Sequence, residues 1–408
     1  MRAAFVSVHG CPVARLGEKD TGGMNVFLRE TAKELGRRGV GVDIYTRAHD
    51  PNDPQVVELG ENARVIHLAA GPLSETKRSL HQRLPEFTKN LHEFVEANHL
   101  RYDLVHSHYW LSGPVALSLR GRWRVPLVAS FHTLGMVQRL VRAGEPDSEH
   151  RIATEQAVVR SADRLVLASP QEREQLIRLY GADPDRAHVV PCGYDPDLFK
   201  PIEKAQARRA LGLHEDKIVL FVGRMERIKG LDVLLRAVAA LEESESVRMV
   251  IVGGSEGDAE LARLRRLAME LGVLDRLLFV GPVPQSTLPL YYNAADVCVA
   301  PSFYETFGMV ALEAMACGTP VIAARVGGLQ ATIADGKTGF LVPWHCPEPY
   351  TERLEVILGN DLLRENLGRA ARDSVGGLDW ASVADRLLEV YDRALGGRLD
   401  ALQSAGCA

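Results

Sequence analysis

Long apolar runs are the first thing this sequence lacks. No stretch approaches the ~18–20 continuous apolar residues of a membrane-spanning helix, so no transmembrane segment is expected. Charge of one sign is also in short supply. Lys and Arg number 48 against 53 Asp and Glu, a formal net charge of −5 over 408 residues, so the total points to neither nucleic acid nor a membrane surface as partner. A local cationic pocket is still allowed. Cysteine is sparse and scattered: Cys11, Cys192, Cys298, Cys317, Cys346 and Cys407 form no C-x-x-C pair. That fits free thiols in a reducing, cytoplasmic setting. The start, Met1 to Val8, is too short for a signal peptide and reads as a buried first strand. A dinucleotide fingerprint is missing as well. The first strand runs into His9-Gly10-Cys11-Pro12, and Gly253-Gly254-Ser255-Glu256-Gly257 has the wrong spacing for G-x-G-x-x-G. Both facts argue against a nicotinamide-dependent oxidoreductase.

What the sequence does have is alternation. Short β-branched runs at 5–8, 42–45, 65–68, 104–106, 127–131 and 165–168 alternate with helical patterns. In the helix expected over 24–38, Phe27, Leu28, Thr31, Ala32 and Leu35 make one apolar stripe. The pattern pauses at Pro191-Cys192-Gly193-Tyr194-Asp195-Pro196, which reads as a linker. A second series follows, with strands at 219–222, 247–252, 277–280, 297–300, 321–323 and 340–342. The fold class is therefore α/β, with two similar-sized domains of parallel strands. Ligands of such sheets sit at the carboxyl ends of strands, and a cleft between two such domains is a favoured pocket. The tail 380–395 reads as an amphipathic helix.

The second half carries two chemically suggestive segments. Gly223-Arg224-Met225-Glu226-Arg227-Ile228-Lys229-Gly230 follows an apolar strand and sets two cations just past its end. Arg offers a planar fork and Lys a point charge, and both suit phosphate oxygens. A lone R-x4-K is more often a solvated turn, but the flanking glycines and the strand before it favour a site. The other segment is Glu305-Thr306-Phe307-Gly308, with Glu313 eight residues after Glu305. Gly308 fits a helix start, whose amides favour an anion. Glu305 and Glu313 are candidate acceptors for sugar and ribose hydroxyls. Glu313 is flanked by Leu312, Ala314 and Met315, which makes a solvated surface position the weaker reading.

In the first half, Gly22 and Gly23 open a helix and let backbone amides approach an anion. His106, His108 and His132 fall at strand ends. They lack regular zinc spacing and an acidic partner, so orientation of a polar ligand is the better reading. Lys77 and Arg151, taken alone, read as surface cations.

These motifs together resemble the retaining glycosyltransferases of family 4. The likeness rests on G-R-x4-K-G, the E-x7-E element, Tyr292-Asn293-Ala294-Ala295-Asp296-Val297, Ala316 to Ala323 and Gly327-Gly328-Leu329. It implies the GT-B fold, two Rossmann-like domains facing each other across a cleft, with the C-terminal helix crossing back. On this reading 1–195, plus about 380–408, is the acceptor domain and 196–379 the donor domain. Asp20-Thr21-Gly22-Gly23-Met24-Asn25, His106 to Gly113 and His132-Thr133-Leu134 are similar to the branch that glycosylates D-inositol 3-phosphate. The branch implies UDP-N-acetylglucosamine as donor, with Gly22, Gly23, Arg224, Lys229, Glu305, Phe307, Gly308 and Glu313 binding it. It implies that Lys77, Tyr109, Thr133 and Arg151 grip the acceptor's phosphate, with His9, Asp20 and Asn25 on the acceptor side. His132, Arg224, Lys229 and Glu305 are then the catalytic set. Front-face attack with retention is implied, with no metal required and a structural Mg²⁺ left open. Oligomeric state is left open between monomer and homodimer. The stretch from Ala14 to Lys19 lacks the branch's proline, and 134–138 is a variant continuation. The acceptor therefore stays open between inositol phosphate and, as in a sucrose-phosphate synthase, fructose 6-phosphate. A catalytically inactive sugar-binding module is the reading from another class.

Overall fold

The computed structural model describes residues 1–14, 21–75, 77, 79–141, 148–213, 217–242, 246–255, 257–343 and 345–397. The chain divides into two units. One comprises the described residues up to Pro191 and the helix Trp380–Leu395, and the other runs from Cys192 to Asp379.

The first unit is an eight-stranded sheet of β1 (Arg2–Val6), β2 (Gly41–Arg47), β3 (Val56–Gly60), β4 (Ala63–Leu68), β5 (Leu104–His108), β6 (Leu127–Ser130), β7 (Arg164–Leu167) and β8 (Ala187–Val189), in the order β3-β4-β2-β1-β5-β6-β7-β8. All neighbours are parallel except β3, which runs antiparallel to β4. Ala3, Ala4, Phe5 and Val6 are fully buried, as expected of a strand covered on both faces. The sequence places the first strand two to three residues late, because apolar Val8 continues the run after the strand ends. There Ser7 turns away, its hydroxyl donating to Gly10 O at 2.8 Å. β3 and β8 escape sequence reading: β3 is short and largely exposed, and β8 has only three residues.

The helix Gly23–Arg37 buries Phe27, Leu28, Thr31, Ala32 and Leu35, the stripe read from the sequence, and Val26 beside them. The helix Trp380–Leu395 packs on the same unit, burying Trp380, Val383, Ala384, Leu387, Val390 and Tyr391. Trp380 meets Phe27 edge-on, with centroids 6.1 Å apart, and Tyr391 Oη lies 2.8 Å from His106 Nδ1. Arg38 ties the helix's first turns down through Asp385 and Ala381 O.

The second unit is a six-stranded, all-parallel sheet of β9 (Lys217–Val222), β10 (Val247–Val252), β11 (Leu277–Gly281), β12 (Val297–Ala300), β13 (Val321–Ala324) and β14 (Gly339–Val342), in the order β11-β10-β9-β12-β13-β14. Strand order reverses between β1 and β5 in one unit and between β9 and β12 in the other. Those switch points leave a crevice beyond the strand ends where ligands of such sheets bind.

Candidate active site

The second unit's switch point brings together the two segments singled out from sequence. Gly223 to Lys229 leaves β9, and Pro301 to Gly308 leaves β12. Phe303 N donates to Ile228 O at 2.8 Å, which locks one loop to the other. Lys229 Nζ reaches Glu305 Oε2 at 2.7 Å, both side chains about one-fifth exposed. Arg224 pairs more openly with Glu226 at 2.7 Å.

Glycine is required at two positions here. Gly308 has φ 94° and N-caps the helix Met309–Ala316, and a Cβ there would lie 2.5 Å from Leu329 Cδ2. Gly327 has φ 45°, and a Cβ on it would fall 1.7 Å from Glu305 O. The backbone of 327–328 thus presses directly on the Glu305 loop, and Gly328 N donates to Glu305 O at 3.2 Å. With no side-chain cap and no acidic residue in its first turn, the helix keeps its positive end for an anion. Phe307, within the loop, is buried.

Glu313 lies in that helix and is 5% exposed. Tyr292 Oη donates to its Oε2 at 2.7 Å and Gln285 Nε2 to its Oε1 at 3.3 Å. Burial pushes its carboxyl up to about 7, against the pull of those two donors. Tyr292 and Gln285 are partners that sequence reading missed. Tyr292 was visible only as part of a motif, and no local spacing ties it to Glu313. The same motif's other polar residues are structural. Asn293 holds Ile202 N and the carbonyls of Lys200 and Pro289. Asp296 binds Lys204, Arg208, Arg364 and Ile218 N.

In the first unit, the ends of β1, β5 and β6 converge on Tyr109. Its ring lies 4.3 Å from the His9 ring, 4.5 Å from Lys77 Nζ and 5.1 Å from the Arg151 guanidinium carbon. Tyr109 and His132 hold φ values of 71° and 60°, conformations that cost non-glycine residues energy and gather at functional sites. Arg151 is 8% exposed. It donates to Thr133 Oγ1 at 2.9 Å, Thr133 O at 2.8 Å, Gln138 Oε1 at 2.7 Å and Glu155 Oε1 at 2.7 Å. Glu155 also accepts from Gly135 N and Tyr180 Oη. The arginine read alone as a surface cation is thus fixed from behind by Glu155 and Gln138, neither of which sequence reading found.

His9 is kept neutral, well below its ordinary range, by burial and then by repulsion from the Lys77 and Arg151 cations. Its Nδ1 has no hydrogen-bond partner among the described residues. His132 is pushed down to about 4 by burial. Its Nε2 lies 3.0 Å from His108 Nδ1, and its ring meets Phe27 edge-on. His106 and His108 are fully buried and held neutral, His106 between Tyr391 and Ser130.

Two expected site residues are already engaged. Asn25 donates to Cys11 O at 2.7 Å and accepts from Gly22 N at 3.1 Å, which makes it a brace of the turn and takes up the Gly22 amide. Gly23 opens the helix. Asp20 lies outside the described residues.

Two Rossmann-like sheets, each with a polar constellation at its switch point, define the GT-B class of fold. Residues 22–193 match the "Glycosyl transferase 4-like domain" and residues 203–374 match "Glycosyl transferases group 1", so the chain belongs to these GT-B glycosyltransferases. It is 42% identical to the D-inositol 3-phosphate glycosyltransferase of Corynebacterium glutamicum, over 97% of each chain. It is 44% identical to the enzyme of that name from Thermomonospora curvata, over 96% of this chain and 95% of the other. The structure superposes on sucrose-phosphate synthase from Thermosynechococcus elongatus with a TM-score of 0.90 and 37% identity, covering 97% of this chain and 99% of that one. Among the described residues no helix is long and apolar enough to cross a membrane.

Proposed function

We propose that this glycosyltransferase moves N-acetylglucosamine from UDP-N-acetylglucosamine to an inositol phosphate, with retention at the anomeric carbon. The observation that carries the acceptor half is the pairing of two cations, Lys77 and Arg151, on the faces of Tyr109, with the Thr133 hydroxyl on Arg151. A buried guanidinium held by a carboxylate behind it is preorganised to take a phosphate in front. His9 offers its unpartnered Nδ1 to a hydroxyl. The relatives' name supplies the inositol phosphate.

In the donor half, Arg224, Lys229 and the amides at Met309 face the diphosphate, while Glu305 and Glu313 accept from sugar and ribose hydroxyls. As the bond to the anomeric carbon breaks, negative charge grows on the diphosphate, and Lys229 stabilises it more than the ground state. The ends of β1, β5 and β6 carry histidine, tyrosine and threonine and, among the described residues, no carboxylate. That supports front-face attack over a covalent glycosyl-enzyme. The acceptor hydroxyl then forms its bond on the side from which the diphosphate leaves, and its proton passes to the departing oxygen. The His132 ring, neutral and packed on His108 and Phe27, is a poor acid at neutral pH, which leaves its backbone to line the sugar pocket.

The test is a grid of UDP-, ADP- and GDP-sugars against inositol phosphate, fructose 6-phosphate and free inositol, read by nucleotide release and the product's anomeric configuration. The reading requires UDP-N-acetylglucosamine with inositol phosphate to turn over fastest, giving the α-product. UDP-glucose with fructose 6-phosphate leading instead would install the sucrose-phosphate synthase reading. Lys77→Ala should raise KM for the phosphorylated acceptor far more than for free inositol. Equal effects on both would remove the phosphate clamp.

A further inference from the structure

Three side chains outside the strand-end constellation meet at the carboxyl ends of three adjacent strands of the first unit. Cys11 lies beyond β1, His49 two residues beyond β2, and His67 within β4. Their ligating atoms all lie within 4.8 Å of one another. Cys11 Sγ is 3.2 Å from His67 Nε2, and both side chains are buried, while His49 is exposed. A tetrahedral zinc ion with bonds of ~2.3 Å to sulfur and ~2.0–2.1 Å to nitrogen separates its ligand atoms by roughly 3.3–3.6 Å. Cys11 and His67 already stand near that spacing, so holding one needs only His49 to close in, by at most roughly 1.5 Å.

Each of the two histidine rings is held by a second contact. His67 Nδ1 lies 2.7 Å from Pro54 O, so that nitrogen carries the proton and Nε2 turns its lone pair toward Cys11. His49 Nδ1 lies 2.8 Å from Asp53 Oδ2, which leaves Nε2 for an ion. Asp53 is itself fixed, accepting from the amides of His49 at 2.8 Å and Asp50 at 2.9 Å. Ligating histidines ordinarily donate their second ring nitrogen to a carbonyl or a carboxylate in this way, which fixes tautomer and ring orientation.

We propose that Cys11, His49 and His67 bind a zinc ion with three protein ligands, the fourth position facing solvent beside His49. The donor set of one thiolate and two imidazoles favours a borderline-soft cation over magnesium or calcium. Without the ion, burial holds the Cys11 thiol protonated, pushed up to about 11. Binding replaces that proton with the metal and releases it to solvent. The ion braces the turn that carries the active-site residues: Cys11 O accepts from Asn25, and His9 lies two residues before Cys11. Sequence reading weighed zinc only at His106, His108 and His132. It missed this group because its members are 38 and 18 residues apart and share no motif.

The experiment uses full-length, tag-free protein, stripped with a chelator and titrated with cobalt(II) and then zinc(II). One equivalent of cobalt should bind with an intense thiolate-to-metal charge-transfer band, and zinc should displace it. Cys11→Ser should lose the band and His67→Ala should lose binding. Asp53→Ala should weaken affinity by roughly 10–100-fold. His49→Ala replaces an exposed side chain, so folding is not at risk, and it too should weaken binding. No charge-transfer band in the wild type would overturn the proposal. So would unchanged cobalt affinity in His49→Ala together with His67→Ala.

Discussion

Glu313→Gln asks whether the carboxyl in the helix Met309–Ala316 is as costly to ionise as its burial implies. Its folded value is about 7 against an ordinary 4.5. A group raised on folding contributes stability that is full below its unfolded value and is lost as pH rises through the folded one. At 1.36 kcal/mol per unit, the whole window is worth about 3 kcal/mol. Integrating the two titrations from pH 5 to pH 8 gives a loss of about 2–3 kcal/mol. Glutamine keeps the volume and an acceptor for Tyr292 but does not titrate. The assay is urea unfolding by circular dichroism at pH 5, 6, 7 and 8 for both proteins. Wild type minus variant cancels every other titrating group, and that difference should fall by about 2–3 kcal/mol across the series. Tyr292→Phe removes the donor at 2.7 Å, so the carboxyl should be pushed higher still and the slope should extend above pH 8. Parallel curves for wild type and Glu313→Gln would refute the reasoning, because Glu313 would then ionise as an ordinary solvated carboxylate.

The remaining predictions concern the ion pair, the returning helix and the proposed clamp. Lys229→Ala should lower kcat by roughly 10²–10³-fold, the scale of a lost charge-stabilising donor. An unchanged kcat would sink the leaving-group role. Leu387→Ala removes a fully buried side chain of the helix Trp380–Leu395 and should cost about 2–5 kcal/mol in unfolding. A cost near zero would mean the helix does not pack on the first unit as described. Arg151→Lys keeps the charge but loses the fork that binds Thr133, Gln138 and Glu155 at once. It should raise KM for phosphorylated acceptor without a matching loss of kcat, and a pure kcat effect would argue against acceptor binding.

Much of the architecture was legible because its causes are local. Buried parallel strands read as short apolar runs, and the stripe of Phe27, Leu28, Thr31, Ala32 and Leu35 marks its helix by periodicity alone. β3 was not legible, since Val56 to Gly60 gains its strand character only by pairing with β4. The donor segments were legible because their chemistry is compressed into a few residues after a strand. Lys229 and Glu305 were both found, yet nothing in the chain announces that they touch across 76 positions.

The amino-acid sequence by itself determined two αβ series, the glycine-bounded loops after β9 and β12, and the carboxylates and cations available to a nucleotide sugar. Only the tertiary structure decided which of them meet. His9, Lys77, Tyr109 and Thr133 come from loops dispersed through the first unit, Arg151 from the helix Ser148–Ser161, and Cys11, His49 and His67 from three strand ends. Both gatherings depend on strand order, with β1 placed between β2 and β5, and on the reversal at each switch point. Hydrophobic periodicity is set within a few residues, whereas strand order is set by how whole elements pack. The sequence could therefore name the side chains that carry the chemistry, and the folded sheets alone could assign them their neighbours.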